Sequence, residues 1–298
     1  MQKKSIQAFS LLELSTVIIV IGLLVAGIMS GKRMMNQAAL RSAQALTKSS
    51  AIASIPDLKL WLEPTLTESV TGANGNNLSN NDLVSYWNDI SGNKINPSQS
   101  TLTPSNQPQY LTSGINGLPS IKFDGNDALY STTVPIDISN GRYTMVAVWK
   151  PYSVTGDQVV IGQKATGASP ANQSAEVWLS TNTIRFGGQA NDTASLGNIA
   201  INGIYIGIMV VNNTDSAGNV SLYLNTNTKS QLNSGSPSTL NLGADFFEVG
   251  AKVISAGSYG NYSNGLISEV LIFNRNLKPT EVNLINNYLS KKYNITVS

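Results

Sequence analysis

The 298-residue chain contains no cysteine and no histidine, and only 12% of its residues are charged. Without cysteine there is no disulfide framework, no thiolate metal centre and no cysteine nucleophile. Without histidine there is no Ser-His-Asp triad, no histidine zinc site and no imidazole acid–base pair. Carboxylates, lysine, tyrosine and serine are the only groups left for catalysis. The length accommodates one large domain or two ordinary ones, with ample chain for a buried core.

The formal net charge of +2 is unevenly spread. Residues 1–56 hold six basic side chains (Lys3, Lys4, Lys32, Arg33, Arg41, Lys48) against the single acid Glu13, whereas residues 57–298 hold thirteen basic and sixteen acidic ones. A basic element that meets a membrane or a partner is thus joined to a weakly acidic body. The body has no dense Lys/Arg stripe, which argues against nucleic acid as a partner.

A short basic start precedes Phe9-Ser10-Leu11-Leu12-Glu13 and then an apolar run from Val17 to Met29. A helix from Phe9 to Met29 is about 31 Å long, enough to cross the hydrocarbon core of a bilayer. A secretory signal would end in a small-residue cleavage site and a loop. Here Met34, Ala38, Ala45, Leu46 and Ile52 continue at three- and four-residue steps. That spacing predicts one helix leaving the membrane as an amphipathic rod until Pro56 stops it. Glu13 is the costly residue, because a carboxylate inside an apolar span needs a partner or a proton.

This segment, Ala8-Phe9-Ser10-Leu11-Leu12-Glu13 followed by an unbroken apolar helix, resembles the N-terminus of the type IV pilin and pseudopilin family, with Ala8 where the family usually has Gly. The resemblance implies a leader at 1–8, cut between Ala8 and Phe9 by a prepilin peptidase that also methylates the new amine of Phe9. It further implies that this amine pairs with Glu13 of a neighbouring subunit, so that two charges costly in lipid neutralise one another on assembly. The precursor would lie in a bacterial inner membrane with its N-terminus cytoplasmic. The mature chain would pass to an extracellular filament or a periplasmic pseudopilus.

Past Pro56 the hydrophobic period changes from 3.6 to 2. Strands are predicted at 58–62, 120–123, 143–149, 176–179, 183–186, 205–211, 220–224, 248–251 and 266–273, separated by loops rich in Asn, Gly and Ser. Many short strands between such loops predict an antiparallel sandwich. A closing helix starts at Pro279, shares one face among Val282, Ile285 and Leu289, and ends with Lys291 and Lys292 favouring the dipole. Lys278 is a poor N-cap, so the start of that helix is expected to fray.

Leu60-Trp61-Leu62-Glu63, the stretch from Val84 to Asn93, Ile121-Lys122-Phe123-Asp124-Gly125 and the closing stretch from Gly265 to Leu277 together resemble the laminin-G-like branch of the concanavalin A-like lectin/glucanase superfamily. The implied fold is mainly β, a jelly-roll sandwich occupying 55–298 behind a long transmembrane or filament helix at 9–54. Glycoside hydrolysis needs two carboxylates flanking one bond. No such cluster is visible along any one strand, Glu176, Glu248 and Glu269 each standing alone, so no enzymatic activity is expected. No cofactor is required, although Asp124 and Asp127 on the Asp124-Gly125-Asn126-Asp127 turn are the oxygen ligands that calcium would use. Trp61, Trp87, Trp149 and Trp178 are expected in the core, which leaves no aromatic platform nominated. The combined expectation is a minor or tip subunit of a type IV pilus-like filament, its partners being other pilin subunits and a glycan or surface protein bound by the head. The alternatives are a major pilin and a pseudopilin of a type II secretion-like machine.

Overall fold

A computed structural model describes residues 10–99, 104–137, 139, 141–165, 174–188, 191–212, 219–231, 243, 245–255 and 258–298. Helix α1 runs from Leu11 to Lys48 and is capped at its start by Ser10, whose hydroxyl accepts from the Glu13 N–H. It ends six residues before the expected Ser54. Ser49 closes it, and Ser50 caps a separate 3-10 turn, Ala51–Ser54, by accepting from the Ile52 N–H. Its apolar stretch is long enough to cross a membrane and lies wholly uncovered by the head.

Two antiparallel sheets make the body. The eight-stranded sheet runs in the order Ser230–Gln231, Asn219–Leu224, Tyr205–Asn212, Arg142–Pro151, Asn264–Phe273, Ser120–Asp124 and Gln109–Leu111, and Leu58–Leu62 also pairs with Asn264–Phe273. The six-stranded sheet runs in the order Asn191–Leu196, Thr183–Gly188, Ser174–Ser180, Asp157–Lys164, Phe246–Val249 and Leu129–Ser131. Tyr143, Met145, Ala147 and Trp149 point between the sheets and meet Val160, Val177, Phe247 and Val249 in one core. Alternate residues of the same strand, Val146 and Val148, face the other way and join Val282, Ile285 and Leu289 of helix α2 (Pro279–Tyr293). The eight-stranded sheet is therefore buried on both faces, which is why its central strand shows an almost unbroken apolar run.

The strand Asp157–Lys164 carries no clean alternation and was not among the expected ones; its register shifts between Val159 and Ile161. A bulge of this kind moves the side-chain period by one residue and hides the strand from a period-2 reading. The start of α2 is not frayed. Glu281 accepts from the Lys278 N–H at 2.8 Å and is itself ion-paired with Arg275, so the N3 carboxylate supplies the cap that Lys278 lacks.

Candidate functional site

Of the N-terminal residues expected to act in processing, Ala8 and Phe9 lie outside the described residues. Glu13 lies within them. Its carboxylate accepts from the Ser10 N–H at 2.9 Å while its own N–H donates to the Ser10 hydroxyl at 3.2 Å, a reciprocal capping box at the exposed tip of α1. In a single chain Glu13 thus stabilises its own helix start. Leu11, Ile18, Leu23 and Met29 around and beyond it are 88%, 61%, 69% and 69% exposed.

At its other end α1 is fastened to the body through a buried charge network. The Lys292 ammonium, from the last turn of α2, donates to Glu63 at 2.5 Å, Glu269 at 2.9 Å, Thr47 of α1 at 2.8 Å and the Tyr288 hydroxyl at 3.1 Å. Glu63 also accepts from the N–H groups of Thr65 and Leu66, and Glu269 from Trp61 Nε1 and the Tyr288 hydroxyl. The side chains of Lys292, Glu63 and Glu269 are completely buried. Burial holds the Glu269 carboxyl above the usual range; Lys292 opposes that shift and the charge of Glu63 adds to it. Lys292 was expected merely to favour the helix dipole, and instead it anchors this network.

Asp124 and Asp127 do come together. The Asp127 carboxylate accepts from the Asp124 N–H at 2.9 Å and is buried while Asp124 is exposed. Burial, reinforced by the neighbouring Asp124 charge, pushes the Asp127 carboxyl up to about 7. Among the described residues no three acidic side chains gather in a way that would hold a metal. The turn is thus a two-carboxylate arrangement, fewer oxygens than calcium usually takes from protein.

The outward face of the six-stranded sheet carries a constellation that strand-by-strand reading missed. Glu176 and Glu248 both pair with Gly162 of the intervening strand, one from each side. Their side chains lean over that glycine: a Cβ placed there would lie 2.6 Å from Glu248 Oε1 and 2.9 Å from Glu176 Cγ. Both acids are buried, together with Lys164 and Lys252. Burial and the Glu176 charge raise the Glu248 carboxyl well above its usual range, against the pull of the two lysines. Desolvation lowers the Lys164 ammonium in the same cluster. The Val253 N–H donates to Glu248 at 2.7 Å and so fastens the hairpin of Lys252–Ser255 and Ser258–Gly260 beside the acid.

On the same face, Trp178 departs from the expected core position. Trp61, Trp87 and Trp149 are buried, whereas Trp178 is half-exposed and the Arg185 guanidinium stacks over its ring at 5.3 Å. Trp178 and Glu176, two residues apart on one strand, share this face. The signal that could have found the face is cross-strand register, which needs the correct pairing of Asp157–Lys164.

Comparison with known proteins agrees with this architecture. No curated protein matches the chain by sequence. Among solved structures, a Trypanosoma rangeli sialidase in complex with sialic acid is similar to it, with a TM-score of 0.52 and 16% identity over 80% of this chain and 33% of that one. A GH54 α-L-arabinofuranosidase soaked with a cyclic sulfate inhibitor gives a TM-score of 0.59 and 10% identity over 79% of this chain and 63% of that one. The chain thus spans about a third of the sialidase and under two thirds of the arabinofuranosidase, and the likeness is one of fold.

These neighbours overturn the expectation of a non-enzyme, since the same fold occurs in chains named as glycoside hydrolases. The premise of that expectation also fails: it counted carboxylates along single strands, and Glu176 and Glu248 converge from the two strands that flank Asp157–Lys164. A model of the concanavalin A-like lectin/glucanases superfamily matches residues 123–283, more than half of the chain, and takes in the six-stranded sheet, most of the eight-stranded one and the start of α2. The chain belongs to this laminin-G-like family.

Proposed function

We propose that the chain is a subunit of a type IV pilus-like filament whose lectin-like head binds carbohydrate. The observation that carries the reading is the division of α1. Its first half, Leu11 to Gly31, is mainly apolar and exposed, whereas its last turns are buried against the head through Ala43 and Thr47. An uncovered apolar stripe of this length needs lipid or other helices around it. A membrane-held precursor and a helical filament core supply the two in turn. Cleavage after Ala8, methylation of Phe9 and pairing of its amine with Glu13 of the next subunit complete the scheme. The pairing would exchange the local Ser10 bond of Glu13 for a charge-assisted one.

Carbohydrate is favoured for the head because Trp178 offers a partly exposed ring with the Arg185 guanidinium beside it, a stacking face next to a hydrogen-bond donor of the kind that sugars require. A head of this size fits a minor or tip position. Two experiments test the scheme. Glu13→Gln should leave processing after Ala8 intact and abolish incorporation into sheared filaments; normal incorporation would defeat the pairing. A glycan array probed with the full chain in detergent, with and without calcium, should show binding that Trp178→Ala removes, and no binding to any glycan would defeat the lectin reading.

A second reading, glycoside hydrolysis, is favoured by the Glu176–Glu248 pair over Gly162. In that reading Glu248 would be the general acid and Glu176 its partner, and because both are buried the face above them would have to open for substrate to reach them. Release of reducing sugar from an oligosaccharide panel, lost in Glu248→Gln, would support it. No release from any member would rule it out.

A further inference from the structure

The face of α1 that docks on the head is one stripe: Asn36 and Leu40 are half-buried, Ala43 and Thr47 buried. These residues follow three- and four-residue steps along the helix. One turn closer to the N-terminus the same stripe carries Lys32, Arg33 and Met29, and there the head falls away from the helix. A cleft of about 470 Å³ opens between them, with Thr112 and Ser113 forming the opposite wall on the head.

The walls are chemically one-sided. The helix side offers two cations and the amides of Asn36 and Gln37, the head side two hydroxyls, and among the described residues no carboxylate lines the space. The depth is equally defined. Residues 11–31 rise about 31 Å, the thickness of a hydrocarbon core, so Lys32 and Arg33 emerge at the level of the phosphates on the head side.

We propose that this cleft holds the headgroup of an anionic phospholipid from the leaflet facing the head. Lys32 and Arg33 pair with its phosphate, the amides and the Thr112 hydroxyl hydrogen-bond its glycerol oxygens, and Met29 lies along its acyl stem. An anionic lipid fits better than a zwitterionic one, because no acidic wall is present to receive a headgroup ammonium. The lipid fills the wedge between helix and head in the precursor and must leave when neighbouring helices close around α1. The inference rests on the membrane-anchored precursor proposed above.

The test uses the full chain, which has no cysteine of its own. Ser113→Cys therefore gives a single site for a polarity-sensitive bimane label. The labelled chain is reconstituted into phosphatidylcholine vesicles with increasing phosphatidylglycerol. A blue shift that titrates with phosphatidylglycerol is expected. Its apparent affinity should weaken about thirtyfold in the Lys32→Gln, Arg33→Gln double variant, at roughly fivefold per charge. Arg41→Gln, exposed on α1 beyond the cleft, should leave it unchanged. An equal shift in pure phosphatidylcholine, or one undiminished in the double variant, would overturn the proposal. So would a response to soluble glycerophosphate in place of the lipid, which would assign the cleft to free phosphate. A chain that co-floats with vesicles yet ignores phosphatidylglycerol defeats the cleft alone, whereas one that fails to co-float defeats the membrane anchor as well.

Discussion

Lys292→Met is the most demanding perturbation of the head, because it keeps most of the side-chain volume and removes only the ammonium. In the parent that ammonium faces four oxygens, two of them carboxylates, and none of the three charged side chains touches solvent. Without it, Glu63 and Glu269 keep their N–H, indole and phenol donors but lose the cation that pairs with both. Breaking a buried pair in this way costs about 3–5 kcal/mol. At about 2–4 °C per kcal/mol for a domain of this size, Tm should fall by roughly 6–20 °C. The loss should shrink as pH is lowered, since a proton on Glu269, whose carboxyl burial already holds above its usual range, can then replace the missing cation. Tryptophan fluorescence during thermal unfolding of the full chain in detergent reads this directly, with Trp61 inside the network. Adding Glu269→Gln should recover more than half of the loss, because the new amide can still accept from Trp61 and can donate towards Glu63. A Tm within about 2 °C of the parent, or a double variant no better than the single one, would refute the assignment of Lys292 as the keystone.

Asp127 has a folded-state pKa raised to about 7 from an ordinary 3.8, so its contribution to stability is complete below about pH 4 and is lost as pH rises through 7. Asp127→Asn should flatten urea-unfolding stability over that window and raise it at pH 8, and an unchanged pH profile would remove the titration from Asp127. Gly162→Ala would drive a methyl group into Glu248 and Glu176 and should cost about 1–3 kcal/mol, with partial rescue by Glu248→Ala; the check is chemical denaturation of both variants. Trp178→Ala, at a half-exposed position, should shift Tm by no more than a few degrees while removing glycan retention, a split that isothermal titration and thermal scans together measure.

The elements that could be read from the sequence share one property: their signal is local. The apolar run of α1, the period-2 strands around Met145 and Leu271, and the Val282, Ile285, Leu289 face of α2 each rest on neighbours within a dozen residues. Asp124 and Asp127 were likewise found as a pair because a single turn joins them. The Lys292 network was not legible, since it gathers Thr47, Glu63 and Glu269 from positions 245, 229 and 23 residues away. Glu176 and Glu248 each stand alone along their own strands. Their meeting depends on a strand whose bulge between Val159 and Ile161 erased its own alternation. The exposure of Trp178 is hidden for a related reason: alternation assigns two faces to a strand but does not say which one water reaches.

The position of the Lys292 network bears on the filament reading. If α1 is held among other subunits while the head is pulled by what it binds, the load passes through the chain at 49–57 and through the last turns of α1. Those turns hold the head by apolar contacts of Ala43 and Leu46, by the Gln44 amide donating to the Thr65 carbonyl at 2.7 Å, and by Thr47 accepting from Lys292. Apolar contacts resist sliding poorly because they have no preferred direction. Hydrogen bonds to a buried ammonium do resist it, because moving Thr47 by even a single bond length would leave Lys292 short of a partner in a dry site. Lys292 is in turn fixed by Glu63, which follows the strand Leu58–Leu62, and by Glu269 of the strand Asn264–Phe273 at the centre of the eight-stranded sheet. A force on the helix is thereby spread over two strands and α2 instead of one connecting segment. Thr47→Val, which removes one hydroxyl and almost no volume, isolates this role: it should leave the head folded and lower the force at which the helix detaches from it.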